Sequence, residues 1–332
     1  MIDFRYHLVS IIAVFLALAV GLVVGATSLS GPVETALKKA EQVLTADNYS
    51  LRAKNGTLKD QVSADQAFAQ ASAQRLLSGL LTGQKVVLVV APNTASGVPG
   101  GVTTALRQAG ATVTGEVLLQ PGFFDASGRT ESSLTQLAGQ FAPQAQVTLP
   151  GSTLYPAVAG QQSAAAVIAS AIVSKSGAGL PGSEDSTILS GFAQAGFLQV
   201  YNPAQSGASS LAPATLAVLL TPAAPQPQAI NEALVAFAAE LSPASLGTVM
   251  AGSVSAIGAG SAISLEGSSG PASTVDYADY EVGQIVVAQA LRELLDGKAA
   301  TAYGVESGNA PSPAPTAPPS GSAVTTSKGT GT

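Results

Sequence analysis

The chain has 332 residues, 46% of them hydrophobic and only 10% charged, with a formal net charge of −6. That is enough apolar material for one large or two modest domains. The acidic balance argues against nucleic acid, whose phosphates are held by clustered Lys and Arg, and the lack of Cys removes disulfides, thiolate metal sites and cysteine nucleophiles.

The first element is an apolar helix. Residues 8–33 carry no ionisable group, and residues 8–24 are apolar apart from Ser10 and Gly21. A helix rising about 1.5 Å per residue crosses the ~30 Å hydrocarbon core with ~20 residues. Residues 1–29 are therefore expected to form a short cytoplasmic flank and a transmembrane signal anchor. Arg5 and the terminal amine lie in the flank, and the positive-inside tendency leaves them in the cytoplasm and sends the bulk of the chain across the membrane. Lys38 and Lys39, beyond the span, weaken that bias. A cleaved signal peptide, cut ahead of Thr27, is the competing reading. Against it, the apolar run exceeds the roughly 7–15 residues usual for such a peptide. Ala13, Ala17, Gly21 and Gly25 recur every fourth position and share one helix face. Small residues so spaced let two membrane helices approach closely, although an Ala-rich composition yields the same ladder.

Residues 30–82 read as a stalk. Gly31-Pro32 interrupts the apolar run, and Pro32 suits the first position of a new helix. Leu37, Leu44, Leu51 and Leu58 then repeat every seventh residue. With these at d, Asn48 and Asn55 fall at a, a coiled-coil seam that gives up stability to fix register and a parallel pair. Of the 14 basic and 20 acidic residues in the chain, 11 lie between positions 33 and 80, as a solvated rod requires. The reading is a parallel homodimer through stalk and anchor. The alternative is an amphipathic helix, or two broken at Asn55-Gly56, packed on the body.

In residues 83–303 the periodicity changes. Continuous apolar runs at 85–91, 112–119, 197–201, 216–220 and 248–254 are expected strands, covered on both faces. Helices are expected at 102–109, 134–141, 163–175, 186–195, 228–241 and 281–295, with Asp279 placed to cap the last. Strands alternating with helices predict an open, mainly parallel α/β sheet. From Gly304 to the end, Pro, Ser, Ala, Gly and Thr dominate, so residues 304–332 are expected to be a disordered tail.

No catalytic constellation emerges, and the reading is that the chain is not an enzyme and holds no cofactor. The glycine-rich loop 92–101 matches neither the dinucleotide nor the phosphate-loop signature. Gly258-Ala-Gly260 reads as a turn, and Glu184-Asp185 as an isolated acidic pair. His7, the sole histidine, borders the membrane, so Ser-His-Asp catalysis is excluded. Asp276, Asp279 and Glu281 could supply oxygen ligands to a hard cation, but helix capping and a solvated strand end account for them more simply.

The opening Met1-Ile-Asp-Phe-Arg-Tyr-His-Leu-Val-Ser-Ile11, running on to Val24-Gly-Ala26, closely resembles the copper transporter MctB family of mycolic-acid-bearing bacteria and their relatives. The charged stalk with Asn48 and Asn55 is similar too, as is the late Val282-Gly-Gln284 helix leading into Asp296-Gly-Lys298 and Ala302-Tyr-Gly304. The resemblance implies an envelope protein of copper export, described for the family as a channel component of the outer membrane. For corynebacterial relatives it implies a role in cell separation with a membrane partner and a peptidoglycan hydrolase. It assigns no metal ligand, and the residues agree. Copper(I) favours thiolate and thioether, copper(II) imidazole, and the chain offers no Cys, His7, Met1 and Met250. A β-barrel pore would need many strands of about 10 residues alternating apolar and polar, unlike the short apolar runs here.

Overall fold

The computed structural model describes residues 4–125, 127–151, 155–202, 211–306, 308–310 and 312. It divides into two compact units, Met1–Asp65 and Gln66–Thr332.

The first unit is one helix, the leading part of α1 (Phe4–Leu77). The expected interruption at Gly31-Pro32 is not there, and Asn55-Gly56 does not break the helix either. A proline or glycine costs a helix up to a few kcal/mol locally, and helical turns on both sides carry α1 through.

The second unit is a three-layer α/β fold. Its strands are β1 (Lys85–Val90), β2 (Thr112–Leu119), β3 (Leu198–Tyr201), β4 (Leu216–Leu220), β5 (Gly247–Ala251), β6 (Ser273–Val275) and β7 (Ala302–Tyr303). They form one sheet in the order β3-β2-β1-β4-β5-β6-β7. Every pairing is parallel except that of the edge strand β3 with β2. The helices are α2 (Val98–Gln108), α3 (Gly128–Ala145), α4 (Ala159–Ile172), α5 (Glu184–Gln194), α6 (Gln228–Ala244), α7 (Ala262–Ser269) and α8 (Glu281–Leu295).

The continuous apolar strands follow from this layering. Val87 and Val89 of β1, with Ala217 and Leu219 of β4, face a core shared with α3, α4, α5 and α6. Their neighbours Val86, Leu88, Val90, Leu216, Val218 and Leu220 face the opposite core, with α2 and α8. Because successive strand residues point to opposite faces and both faces are covered, no position can be polar without a buried partner. The second core also takes in Ala69, Ala73, Leu77 and Leu81, a ladder of four-residue steps. The segment from Gln66, expected in the stalk, thus belongs to the body's compact unit.

Three smaller expectations change. Helix α2 starts four residues early, at Val98, because Pro99 is well suited to a first turn where its missing N–H costs nothing. Asp279 does not cap α8: Tyr280 is the cap residue and makes no side-chain cap bond, while Asp279 Oδ1 accepts from the Val254 N–H at 3.2 Å. The ordered chain continues past Gly304, since Gly304 N–H donates to Ala310 O at 2.8 Å and Tyr303 bridges Ala310. Residues 307, 311 and 313–332 of the expected tail lie outside the described residues.

Candidate functional site

In an open parallel sheet, ligands collect beyond the carboxyl ends of the strands, at the point where the strand order reverses. Here that point lies between β1 and β4, and it is stapled shut. Thr94 Oγ1 donates to Ala91 O and Thr221 O, and Ala223 N–H donates to Asn93 O at 2.9 Å. Of the glycines in this segment, Gly101 serves packing. A Cβ on Gly101 would sit 2.4 Å from the carboxamide of Gln284, so α2 can approach α8 only without one. Gln284 is buried and donates through Nε2 to Ala278 O at 3.3 Å. A cradle for phosphate is thereby replaced by helix–helix contact.

At the far side of the sheet, the three carboxylates read from sequence go separate ways. Asp276 is not at a solvated strand end; it is fully buried. Its Oδ1 accepts from Val305 N–H at 2.9 Å, and its Oδ2 from Glu306 N–H at 2.9 Å and Asn309 Nδ2 at 3.1 Å. Asp279 is engaged with Val254 as above, and Glu281 opens α8, where a negative charge suits the helix dipole. Among the described residues no three His, Asp or Glu side chains form a group able to hold a metal ion. Nearby, Glu293 forms an ion pair with Lys298 at 2.5 Å and accepts a hydrogen bond from the Tyr303 hydroxyl. Burial, and next the Glu293 carboxylate, push the Tyr303 hydroxyl up to about 12. Of the late residues that carry the family resemblance, Lys298 and Tyr303 therefore meet on Glu293 and Gly304 lies against Asp276, all in structural service. Glu184 and Asp185 likewise occupy the first turn of α5, favourable for its dipole.

A true cleft opens one strand further along, beyond the ends of β4 and β5. It encloses about 540 Å³, within the range of small-ligand sites. Tyr155, Gln226, Gln228 and Glu232 line one part of it, and the 258–260 turn another. Gln228 Nε2 donates to Glu232 Oε1 at 2.6 Å, and Asn231 Nδ2 ties Gln226 O to Gly260 O at 3.1 and 3.0 Å. Burial first, and then the charges of Glu232 and Glu266, raise the Tyr155 hydroxyl above its ordinary range. Sequence reading missed this site, because its parts come from three separate loops and from helices α6 and α7, and no periodicity joins them. Gly258-Ala-Gly260 was legible only as a turn.

The N-terminal candidates all lie on α1. Ala13, Ala17, Gly21 and Gly25 fall in the stretch Arg5–Gly25, 21 residues long and apolar enough to cross a membrane, with none of its side chains buried. Leu37, Leu44, Leu51 and Leu58 are 68%, 69%, 59% and 57% exposed, and Asn48 and Asn55 beside them are exposed too. The single chain offers these side chains no cover. The possible copper donors are no better gathered: Met250 is fully buried in β5, and His7 is within the apolar stretch.

The sequence model of the family described as "Copper transport outer membrane protein, MctB" matches residues 1–315. A protein named copper transporter MctB from Mycobacterium leprae (strain TN) is 30% identical over 320 residues, spanning 93% of this chain and 98% of its own length. The protein of that name from Mycobacterium tuberculosis (strain ATCC 25618 / H37Rv) is 28% identical over 318 residues, with the same shares.

Proposed function

The chain belongs to the MctB family, and from that premise we propose that it is a membrane-anchored envelope protein serving copper export without chelating copper through its own side chains. The observation that carries the reading is the family match over residues 1–315, joined to an exposed apolar stretch at Arg5–Gly25. So much uncovered apolar surface is stable only against lipid or another protein. The anchor stays attached, its flank is cytoplasmic, and the α/β body works on the outer side. No step of the function is enzymatic. Copper passes along or near the assembly as cargo, since thiolate and clustered imidazole, the side chains that would trap it, are missing from the sequence. A strain lacking the protein should accumulate copper and be copper-sensitive, and the full chain should restore it while a chain without residues 1–29 should not. Unchanged cellular copper in the deletion strain refutes the proposal.

The exposed leucines favour a second component of the reading. Two copies pair in parallel through Leu37, Leu44, Leu51 and Leu58, with Asn48 and Asn55 setting register and Ala13, Ala17, Gly21 and Gly25 packing the anchors. A pair of this kind also suits a scaffold that holds or regulates an envelope partner such as a cell-wall hydrolase, which crosslinked co-purification would reveal. The chain has no cysteine, so one introduced thiol reports geometry cleanly. In full-length protein in membranes, Asn48→Cys at a seam position should crosslink to dimer on mild oxidation, whereas Ala53→Cys, at f on the outer face, should not. Equal crosslinking from both, or none from Asn48→Cys, would dispose of the parallel pair.

A further inference from the structure

The cleft beyond β4 and β5 is lined by none of the residues of the anchor or the leucine repeat, and its lining is selective in its chemistry. Tyr155 presents an aromatic ring whose other contacts are with the margin of the core. Gln226 and Gln228 contribute carboxamides, and Glu232 contributes a carboxylate already accepting one hydrogen bond from Gln228. The Gly258–Gly260 turn forms another part of the lining, with Gly260 O accepting from Asn231 Nδ2. Among the described residues, no Lys, Arg or His lines the space.

Each of these facts narrows the ligand. Phosphate, carboxylate and nucleotide ligands are favoured by basic side chains, and among the described residues the one formal charge in the lining, on Glu232, is negative. Copper needs soft or imidazole donors, and none is among the described lining residues. What remains is a planar aromatic surface beside groups that both donate and accept. A smaller adjoining void shares Gln226, Asn231 and Ser261 with the cleft, and Thr221 lines it. The Thr221 Oγ1 is buried without a hydrogen-bond partner, a cost a ligand hydroxyl or a water it carries would relieve.

We infer that this cleft binds a neutral, hydroxyl-rich ligand of the saccharide class, its C–H face against Tyr155 and its hydroxyls on Glu232, Gln226 and Gln228. The site is independent of the copper reading, because none of its residues belongs to the anchor or the seam. It would let the body recognise glycan while the N-terminal helix remains fixed in a membrane.

The test uses the full chain in lipid nanodiscs with chitotetraose and maltotetraose as probes, followed by saturation-transfer NMR and calorimetric titration. At least one oligosaccharide should bind with millimolar or tighter affinity. Tyr155→Ala and the isosteric Glu232→Gln should each weaken it tenfold or more, and Glu232→Gln should leave the thermal midpoint unchanged. Inorganic phosphate and choline, tested alongside, should not compete. Three outcomes overturn the inference: neither sugar binds at millimolar concentration, Glu232→Gln binds as tightly as the parent, or phosphate or choline takes the site instead.

Discussion

Replacing Asp276 tests how the body closes its last strand. The buried carboxylate gathers three donors from residues 29, 30 and 33 positions further on: Val305 N–H, Glu306 N–H and Asn309 Nδ2. Hydrogen bonds to a charged group contribute roughly 1.5–3 kcal/mol each before the cost of burying the charge is set against them. In Asp276→Ala all three donors lose their acceptor. Val305 is 65% exposed, so its segment can peel into water rather than stay unsatisfied, which limits the loss to about 3 kcal/mol. In Asp276→Asn the amide oxygen can keep Glu306 and Asn309, but its NH₂ then faces the Val305 N–H, at a cost of about 1–2 kcal/mol. Urea unfolding of the body gives the order parent, Asn, Ala. Hydrogen exchange locates it, with the Val305 and Glu306 amides losing about tenfold protection for each 1.4 kcal/mol. Equal stability of the Asn and Ala variants, or undiminished protection at Val305, would refute the clamp.

Three further substitutions probe the same body. Glu266 is fully buried, with Oε1 accepting from Ala272 N–H at 2.7 Å and Oε2 unpartnered, and burial raises its carboxyl to about 7. A carboxyl raised in the folded state stabilises fully below its unfolded value of 4.5 and loses that contribution as pH climbs through about 7, a difference on the order of 3 kcal/mol. The parent's thermal midpoint should therefore fall between those pH values, and Glu266→Gln should remove that component of the slope; identical slopes would sink the assignment. Glycine-to-alanine changes in two helices should have opposite signs. In α3, a Cβ on Gly139 meets nothing within 4 Å, so Gly139→Ala should stabilise by about 0.5–1 kcal/mol. In α8, a Cβ on Gly283 would lie 2.0 Å from Tyr277 O, so Gly283→Ala should destabilise by about 2–4 kcal/mol despite better helix propensity. Denaturation midpoints that move in the same direction would contradict the packing argument.

What the sequence made legible is what repeats. Strands β2 and β4 fall where their apolar runs do, and α8 begins and ends where its pattern does. Two covered faces and a 3.6-residue helix leave their mark on every few residues. Strands β6 and β7, three and two residues long, are too short to show a period, and α7 is eight residues rich in Ser and Gly. The antiparallel turn of β3 was equally silent, since Leu198 reads the same whichever way Leu119 runs beside it.

The site residues divide on the same physical line. The leucines at 37, 44, 51 and 58, all exposed on α1, are legible because they repeat every seventh residue, and a repeat survives without knowledge of distant contacts. Asp276 could not declare itself. Its neighbours in sequence made it look like a ligand or a cap, while its meaning lay in backbone amides about thirty residues away. Gly304 is the counterpart: a Cβ there would come within 2.0 Å of the Asp276 carboxylate, so the glycine that looked like the start of a loose tail is the space the carboxylate needs. The cleft follows the same rule, because Tyr155, Glu232 and Gly258 are far apart in the chain and meet only where β4 and β5 end. A function resting on that cleft is therefore invisible to any reading of composition or spacing. It has to be sought where a fold of this kind brings loops together, even when its customary pocket has been closed.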